Sequence, residues 1–253
     1  MRIVPIVSAL FILLMASCSV QKRSSVNYLE NVSDTSITGL AVPAEPVIRK
    51  NDLLSIIVYS TSIDPITDAP YNLPTTVAGA GAQAGFLVDA NGNIEYPRLG
   101  VIKVEGLSKS ALENLIKSKL EGQLNNPTVV IRFLNYRITI LGEVNSPGTF
   151  NVPTERINIL EALGLAGDVT EFGKRNTVKV LRDFEGRREM ATIDLTKGAF
   201  FTSPYFQLQQ NDVVFVEQTP EKLKQRSQQN VAQQIGIASS IITAIALILN
   251  FIK

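Results

Sequence analysis

Residues 137–152 read RITILGEVNSPGTFNV, and this stretch contains the local pattern that decides the fold. β-Branched residues dominate Arg137 to Leu141, which predicts a strand. Pro147-Gly148 is a turn pair, and Thr149 to Val152 then resumes in extended form. The stretch therefore predicts two short strands joined by a tight connection.

A short helix is predicted directly downstream. Asn158 is followed three residues later by Glu161, which is a capping box, and Gly164 or Gly167 ends the helix. Three further strands complete a small sheet: Thr177 to Leu181, Met190 to Leu195 and Val213 to Val216. These elements define a mixed α/β module at residues 136–218.

A second mixed module is predicted upstream, at residues 47–135. Its elements are a strand at Leu54 to Tyr59, a hairpin turn at Asn91-Gly92, a strand at Val101 to Val104, a helix capped by Ser108 or Ser110, and a strand at Thr128 to Leu134. The stretch Ser60 to Gly85 is rich in Pro, Ala and Gly and is interpreted as a surface excursion or a mobile loop. The predicted fold class is thus α+β, with two small modules.

The N-terminus has the pattern of a bacterial lipoprotein signal. An apolar stretch from Ile3 to Met15 precedes the small residues Ala16-Ser17 and then Cys18, the single cysteine of the chain. We expect residues 1–17 to be a signal peptide and Cys18 to carry lipid. The alternatives are an ordinary signal peptide and an uncleaved anchor. Ser19 permits sorting to the outer membrane, and residues 18–46 are interpreted as a flexible leader.

The C-terminus is apolar. Residues 235–252 carry no charge over eighteen positions, after a polar tether at residues 219–234. A helix of that length rises about 27 Å, close to the ~30 Å apolar thickness of a bilayer, which predicts a C-terminal transmembrane helix. One sector is mostly small or polar, and its members are candidates for pore-lining or helix-contact positions: Gly236, Ser239, Ser240, Thr243 and Asn250. A ring of such helices is favoured over a plain anchor or a helix buried in a soluble domain.

The composition excludes several kinds of catalytic site. Histidine is absent and Cys18 is assigned to lipid. The chain therefore lacks the residues for nucleophilic catalysis by a serine-histidine or cysteine-histidine pair, and for a zinc site with histidine or cysteine ligands. Asp89 and Glu95 are the nearest approach to a glycosidase pair, but solvated turn and strand residues explain them more simply. The net charge of +1 includes no long basic block, which gives no indication of nucleic acid. We predict a protein that is not an enzyme and that holds no metal or other cofactor.

Two stretches resemble a known family. Residues 92–100, GNIEYPRLG, with Gly106-Leu107-Ser108, resemble the polysaccharide export domain of Wza-type outer-membrane exporters. Residues 140–148, ILGEVNSPG, followed by residues 159–163, ILEAL, and Gly167, resemble the β-grasp-like SLBB domain that accompanies it. Together with the lipoprotein signal and the terminal helix, the likeness covers nearly the whole chain. The agreement of two stretches in order makes the resemblance stronger than a single motif would.

The resemblance implies a homo-oligomeric ring, octameric in the best-known type, whose C-terminal helices form a pore for capsular polysaccharide or exopolysaccharide. It implies a lipid anchor in the outer membrane, a mostly periplasmic chain, and an inner-membrane polysaccharide co-polymerase as partner. This chain has room for one SLBB-like module where Wza-type proteins have two, so the subunit number stays open. The alternative is a periplasmic glycan-binding lipoprotein that forms no pore.

Overall fold

The first module combines a small antiparallel sheet with one helix. The structure, a computed structural model, describes residues 27–30, 39, 45–61, 65–73, 85–184 and 186–251. The elements of this module are β1 Leu53–Tyr59, β2 Phe86–Leu87, β3 Asn93–Tyr96, β4 Gly100–Lys103, α1 Lys109–Leu120 and β5 Thr128–Phe133. The sheet has the order β2-β1-β5, and β3 and β4 form a separate hairpin.

Helix α1 covers one face of this sheet. Its buried residues Leu112, Ile116 and Leu120 recur every four positions and so form one apolar face. Burial alternates along β1 and β5, so each strand turns one set of side chains towards the helix. The helix begins at Ser108, whose side chain accepts a hydrogen bond from the backbone N–H of Ala111.

The second module is built on a mixed five-stranded sheet. Its elements are β6 Arg137–Gly142, β7 Gly148–Asn151, β8 Ile157–Asn158, α2 Ile159–Leu165, β9 Val178–Phe184, β10 Arg187–Ile193, β11 Gln207–Leu208 and β12 Val213–Val216. The sheet order is β10-β9-β12-β6-β7, and β8 pairs with β11. β12 runs parallel to β6, and the other neighbours in the sheet are antiparallel.

The predicted capping box is confirmed. The side chain of Asn158 accepts from the backbone N–H of Glu161, and the carboxylate of Glu161 accepts from the backbone N–H of Asn158. The strand predicted from Met190 begins earlier, at Arg187, because this strand pairs with β9 along seven residues. Its first residues are charged and exposed, so they carry no apolar signal in the sequence.

Gly142 closes the contact between β6 and β12. Its φ is +92°, and a Cβ added there would lie 2.0 Å from the carbonyl oxygen of Val216. That oxygen accepts a hydrogen bond of 2.9 Å from the backbone N–H of Glu143. The glycine of the ILGEVNSPG stretch is therefore required by a close backbone approach at the end of the sheet.

Part of the stretch interpreted as a surface excursion folds back on β1. Within residues 65–73, Tyr71 is buried. The side chain of Asn72 accepts from the N–H of Val58 at 2.8 Å and donates to its carbonyl at 2.9 Å. This amide extends the edge of β1 much as a neighbouring strand would.

Buried polar groups join the two modules, and we call their contact the module seam. Asp52 is 2% exposed, and its carboxylate accepts 2.8 Å from the backbone N–H of Arg49 and 2.9 Å from the side chain of Gln210 in the second module. The guanidinium of Arg49 crosses the seam to the side chain of Gln209 at 2.8 Å and to the carbonyl of Asp183 at 3.1 Å. Because buried polar groups are stable only with their partners, these bonds favour one orientation of the modules.

A second group of contacts lies at the other side of the seam. Glu155 is 6% exposed, accepts from the backbone N–H of Phe133 at 2.8 Å, and forms an ion pair with Lys109. Glu155 belongs to the second module and both partners belong to the first. The seam is therefore held at two separate points.

The predicted transmembrane helix is wrong. The structure has a single helix α3, Pro220–Phe251, which includes the residues interpreted as a polar tether. In the part of the chain that the structure describes, no helix is long and apolar enough to cross a membrane. The first half of α3 is polar, so the helix as a whole is not an apolar segment.

A buried ion pair joins Arg182 of β9 to Asp212, just before β12. The guanidinium of Arg182 contacts both carboxylate oxygens of Asp212, at 3.0 and 2.7 Å, and both side chains are almost fully buried. The same hairpin carries an exposed pair of the same kind, Arg188 with Asp183 at 2.9 Å. The two pairs therefore allow a matched comparison of a buried and an exposed ion pair.

We expect Asp212→Ala to lower the free energy of unfolding by about 3–5 kcal/mol, because it leaves the charge of Arg182 buried without a partner. Urea unfolding of the detergent-extracted protein, followed by circular dichroism, measures this change. The control Asp183→Ala, which removes the exposed pair, should lower the midpoint far less. Equal effects of the two substitutions would contradict the burial of the Arg182–Asp212 ion pair.

A pH dependence follows from Asp52. Burial raises the pKa of its carboxyl to about 6, whereas an unfolded aspartate titrates near about 3.9. The folded state thus holds this proton more tightly, so the free energy of unfolding should fall as pH rises from about 4 to about 6, relative to Asp52→Asn. Below about pH 4 and above about pH 6, the difference in the free energy of unfolding between the wild type and Asp52→Asn should stay constant.

Thermal unfolding of both proteins between pH 3 and pH 8 measures this difference. The control is Asp183→Asn, because the hydrogen bond from Arg188 lowers the pKa of the Asp183 carboxyl. The wild type should then lose stability relative to the control as pH falls, which is the opposite sign. Parallel curves for the wild type and Asp52→Asn throughout would contradict the role of Asp52.

Candidate functional site

Helix α3 is fastened to the second module by the motif residue Glu143. The carboxylate of Glu143 forms an ion pair with Lys222 and accepts from the hydroxyl of Thr170 at 2.8 Å. The backbone N–H of Thr219, just before the helix, donates to the carbonyl of Phe172 at 2.7 Å. The helix therefore leaves the module from a fixed point.

Beyond this point α3 extends away from the core. From Lys224 onwards, every described side chain of the helix is exposed. Four isoleucines follow one another on one face and are more than half exposed, and we call them the isoleucine ridge: Ile237 55%, Ile241 54%, Ile245 52% and Ile248 58%. A helix normally buries such a face, so the ridge has the character of an interaction surface.

The predicted pore or helix-contact residues lie outside the ridge. At about 100° per residue, Gly236 and Ser239 fall on the far side of the helix, and Ser240 falls at the flank of the ridge, about 60° from Ile237. The hydroxyls of Ser239 and Ser240 donate to carbonyls of their own helix, at 2.9 and 2.8 Å. The side chains of Thr243 and Asn250 lie outside those that the structure describes. The helix thus brings the described candidates onto one face, and their role stays a prediction.

A polar cleft of about 270 Å³ opens at the module seam. Its lining comes from three distant parts of the chain: Glu45, Pro46, Lys109, Ser110, Thr154, Glu155 and Arg156. Glu45 accepts from the hydroxyl and the backbone N–H of Ser110, and these hydrogen bonds lower the pKa of the Glu45 carboxyl. Sequence analysis missed this cleft because no local motif joins its three segments.

The acidic residues considered for glycosidase chemistry, Asp89 and Glu95, lie in a hairpin turn and on an exposed strand face. A carboxylate oxygen of Asp89 accepts from the backbone N–H groups of Asn91 and Asn93, both at 2.8 Å, and so stabilises the hairpin turn. Glu95 is exposed on β3. Within the described residues, no group of three or more acidic, histidine or cysteine side chains is placed to hold a metal ion. Cys18 lies outside the described residues, so its lipidation also stays a prediction.

Two family models match the chain in sequence order. The model described as polysaccharide biosynthesis/export protein matches residues 40–134, and the SLBB domain model matches residues 136–216. Between them they include all strands of both modules and end four residues before α3. The division between the two matches falls between β5 and β6.

Two relatives are similar to this chain. It is 28% identical over 144 residues to the EPS I polysaccharide export outer membrane protein EpsA of Ralstonia nicotianae, covering 53% of this chain and 38% of that protein. It is 28% identical over 162 residues to the protein of the same name from Ralstonia solanacearum, covering 60% and 42% respectively. The matched region is thus about two fifths of the length of these curated relatives. Since an export module and an SLBB module follow one another here as the two matches require, the chain belongs to the Wza-like family of polysaccharide export proteins.

Proposed function

We propose that this protein exports a capsular polysaccharide or exopolysaccharide across the outer membrane, as a ring of identical lipid-anchored subunits. The consecutive export and SLBB matches carry this proposal. The names of both relatives, which are outer-membrane export proteins, support it. In this arrangement most of the chain lies in the periplasm, where it meets an inner-membrane co-polymerase.

The isoleucine ridge supports association between copies. Four β-branched side chains on one helix face are more than half exposed in a single subunit. Burying a side chain of this size contributes about 1.5–3 kcal/mol, so the ridge offers a large gain to a partner that covers it. Identical copies provide that cover in a closed, symmetric ring.

The side of α3 outside the ridge fits the lining of a passage. A hydrated glycan must slide, so polar groups are useful and deep binding pockets would retain the chain. Gly236, Ser239 and Ser240 are small and uncharged, and the two serines carry hydroxyl groups. We propose that they face the passage or a neighbouring helix, together with Thr243 and Asn250.

Charging the isoleucine ridge tests the ring. We expect the double variant Ile241→Glu, Ile245→Glu to remain folded and membrane-attached but to lose closed particles, because carboxylates cannot be buried in an apolar contact. Surface polysaccharide should fall to the level of a strain lacking the protein. Negative-stain images of detergent-extracted protein and immunodetection of the surface polymer measure the two effects.

The control is Gln228→Glu, which adds a carboxylate to an exposed position of the same helix on the side away from the ridge. It should keep both particles and surface polymer. Normal surface polymer in the ridge variant would contradict the proposal. A wild-type population of monomers that still binds glycan would support the alternative, a periplasmic glycan-binding lipoprotein without a pore.

Lipidation is tested separately. We expect Cys18→Ser to remove incorporation of labelled palmitate and to release the protein from the outer-membrane fraction, because the thiol is the attachment atom. Ser19→Ala, the neighbouring residue, should leave incorporation unchanged. Palmitate on the Cys18→Ser protein would show that the anchor is elsewhere.

A further inference from the structure

A short part of the predicted flexible leader is docked on the second module. Residues 27–30, which we call the leader clamp, form a turn in which Glu30 accepts from the backbone N–H of Asn27 at 3.2 Å. The backbone N–H of Leu29 donates to the carbonyl of Leu195 at 3.1 Å. Tyr28 and Leu29 are partly buried and pack against the hydrophobic core.

The phenol of Tyr28 has two specific partners. Its hydroxyl donates to the carboxylate of Asp168, and the guanidinium of Arg175 lies over its ring at 5.0 Å from the centroid. Burial, together with the hydrogen bond to Asp168, raises the pKa of the Tyr28 hydroxyl to about 12. The clamp is therefore held by three contacts: the ring of Tyr28 with Arg175, the hydroxyl of Tyr28 with Asp168, and the backbone of Leu29 with Leu195.

The receiving site is held by the second module itself. Arg175 donates to the carbonyl of Val169 at 2.8 Å, which fixes its guanidinium beside the ring. The carboxylate of Asp168 accepts from the backbone N–H of Val169 at 2.6 Å, which fixes its orientation. Because these contacts do not involve the leader, the site is arranged to receive a tyrosine from it.

The leader clamp limits how far the second module can lie from Cys18. Asn27 is only nine positions after Cys18, and a chain extends at most about 3.6 Å per position, so the docking site lies within about 32 Å of Cys18. Without the clamp, the first described contact with the body is at Glu45, which is 27 residues from Cys18 and permits about 97 Å. The clamp shortens the permitted distance about threefold.

We infer that Asp168, Arg175 and Leu195 form a docking site for Tyr28-Leu29 of the same chain, and that this site holds the second module close to the membrane that carries Cys18. The inference rests on the lipidation of Cys18 in the proposed function. The first module is then connected to the membrane only through the second.

Energy transfer to the membrane tests the distance. The lipidated full chain has no free thiol, so a single donor dye can be placed by Lys197→Cys near the docking site or by Lys119→Cys on α1. In vesicles with acceptor-labelled lipid, we expect higher transfer efficiency from the second module than from α1. Tyr28→Ala should lower the efficiency at the Lys197→Cys position by about half or more, since transfer falls steeply once the tether lengthens.

Matched tyrosine variants separate the clamp from general effects. Tyr59→Ala, which removes an exposed tyrosine of β1, should leave transfer unchanged. Tyr28→Phe keeps the ring over Arg175 and should retain most of the effect. Equal transfer from both dye positions, or no change with Tyr28→Ala, would overturn the inference.

Hydrogen exchange tests the docking without reference to the membrane. The Leu29 amide, bonded to Leu195, should exchange more slowly in the wild type than in Tyr28→Ala, by on the order of tenfold. Palmitate measured on the same sample keeps the two proposals distinguishable. Absence of palmitate would overturn the anchor and the membrane distance, whereas a lipidated protein with fast Leu29 exchange would overturn the docking alone.

Discussion

The hydrogen bond between the Asp52 carboxylate and the Gln210 amide is the contact on which the arrangement of the two modules depends. It joins residues 158 positions apart in the chain, and both side chains are more than nine-tenths buried. Apolar surfaces alone tolerate sliding, because their attraction is not directional. A buried acceptor and donor tolerate much less, since separating them removes from each a partner that no water replaces. The seam therefore fixes an angle, and that angle sets where α3 points relative to the first module.

Two neighbouring residues of the ILGEVNSPG stretch close the end of the sheet and attach helix α3. Gly142 permits the close approach between β6 and β12 that ends the sheet. The next residue, Glu143, uses its backbone in that contact and its carboxylate to hold Lys222 of α3. The end of the sheet and the start of the helix are thus coupled through consecutive residues. This explains in physical terms why a short stretch is typical of the module.

Local patterns predicted most of the secondary structure, and long-range contacts account for what was missed. The Asn158 capping box and the Ser108 cap depend on neighbours within three residues, so the sequence reveals them. The burial of Asp52 and Glu155 depends on partners in another module, and their polarity alone would place them in water. No helix was predicted for the polar half of α3, because Gln and Lys, although good helix formers, also suit a linker. Of the candidate site, the sequence located the helix face but not the cleft or the leader clamp.

The leader clamp and the start of α3 are both fastened beside one small bridge in the second module. Val144 pairs with Val169, and the flanking backbone bonds at 3.1 Å join Asn145 to Asp168 and Thr170 to Glu143. Asp168 receives the leader clamp on one side of this bridge, and Glu143 holds α3 on the other. The two attachment points are therefore joined by two backbone hydrogen bonds around a bridge whose valines are buried in the core. In a ring whose copies meet along α3, the tether to the lipid and the contact between subunits would be set by the same few residues.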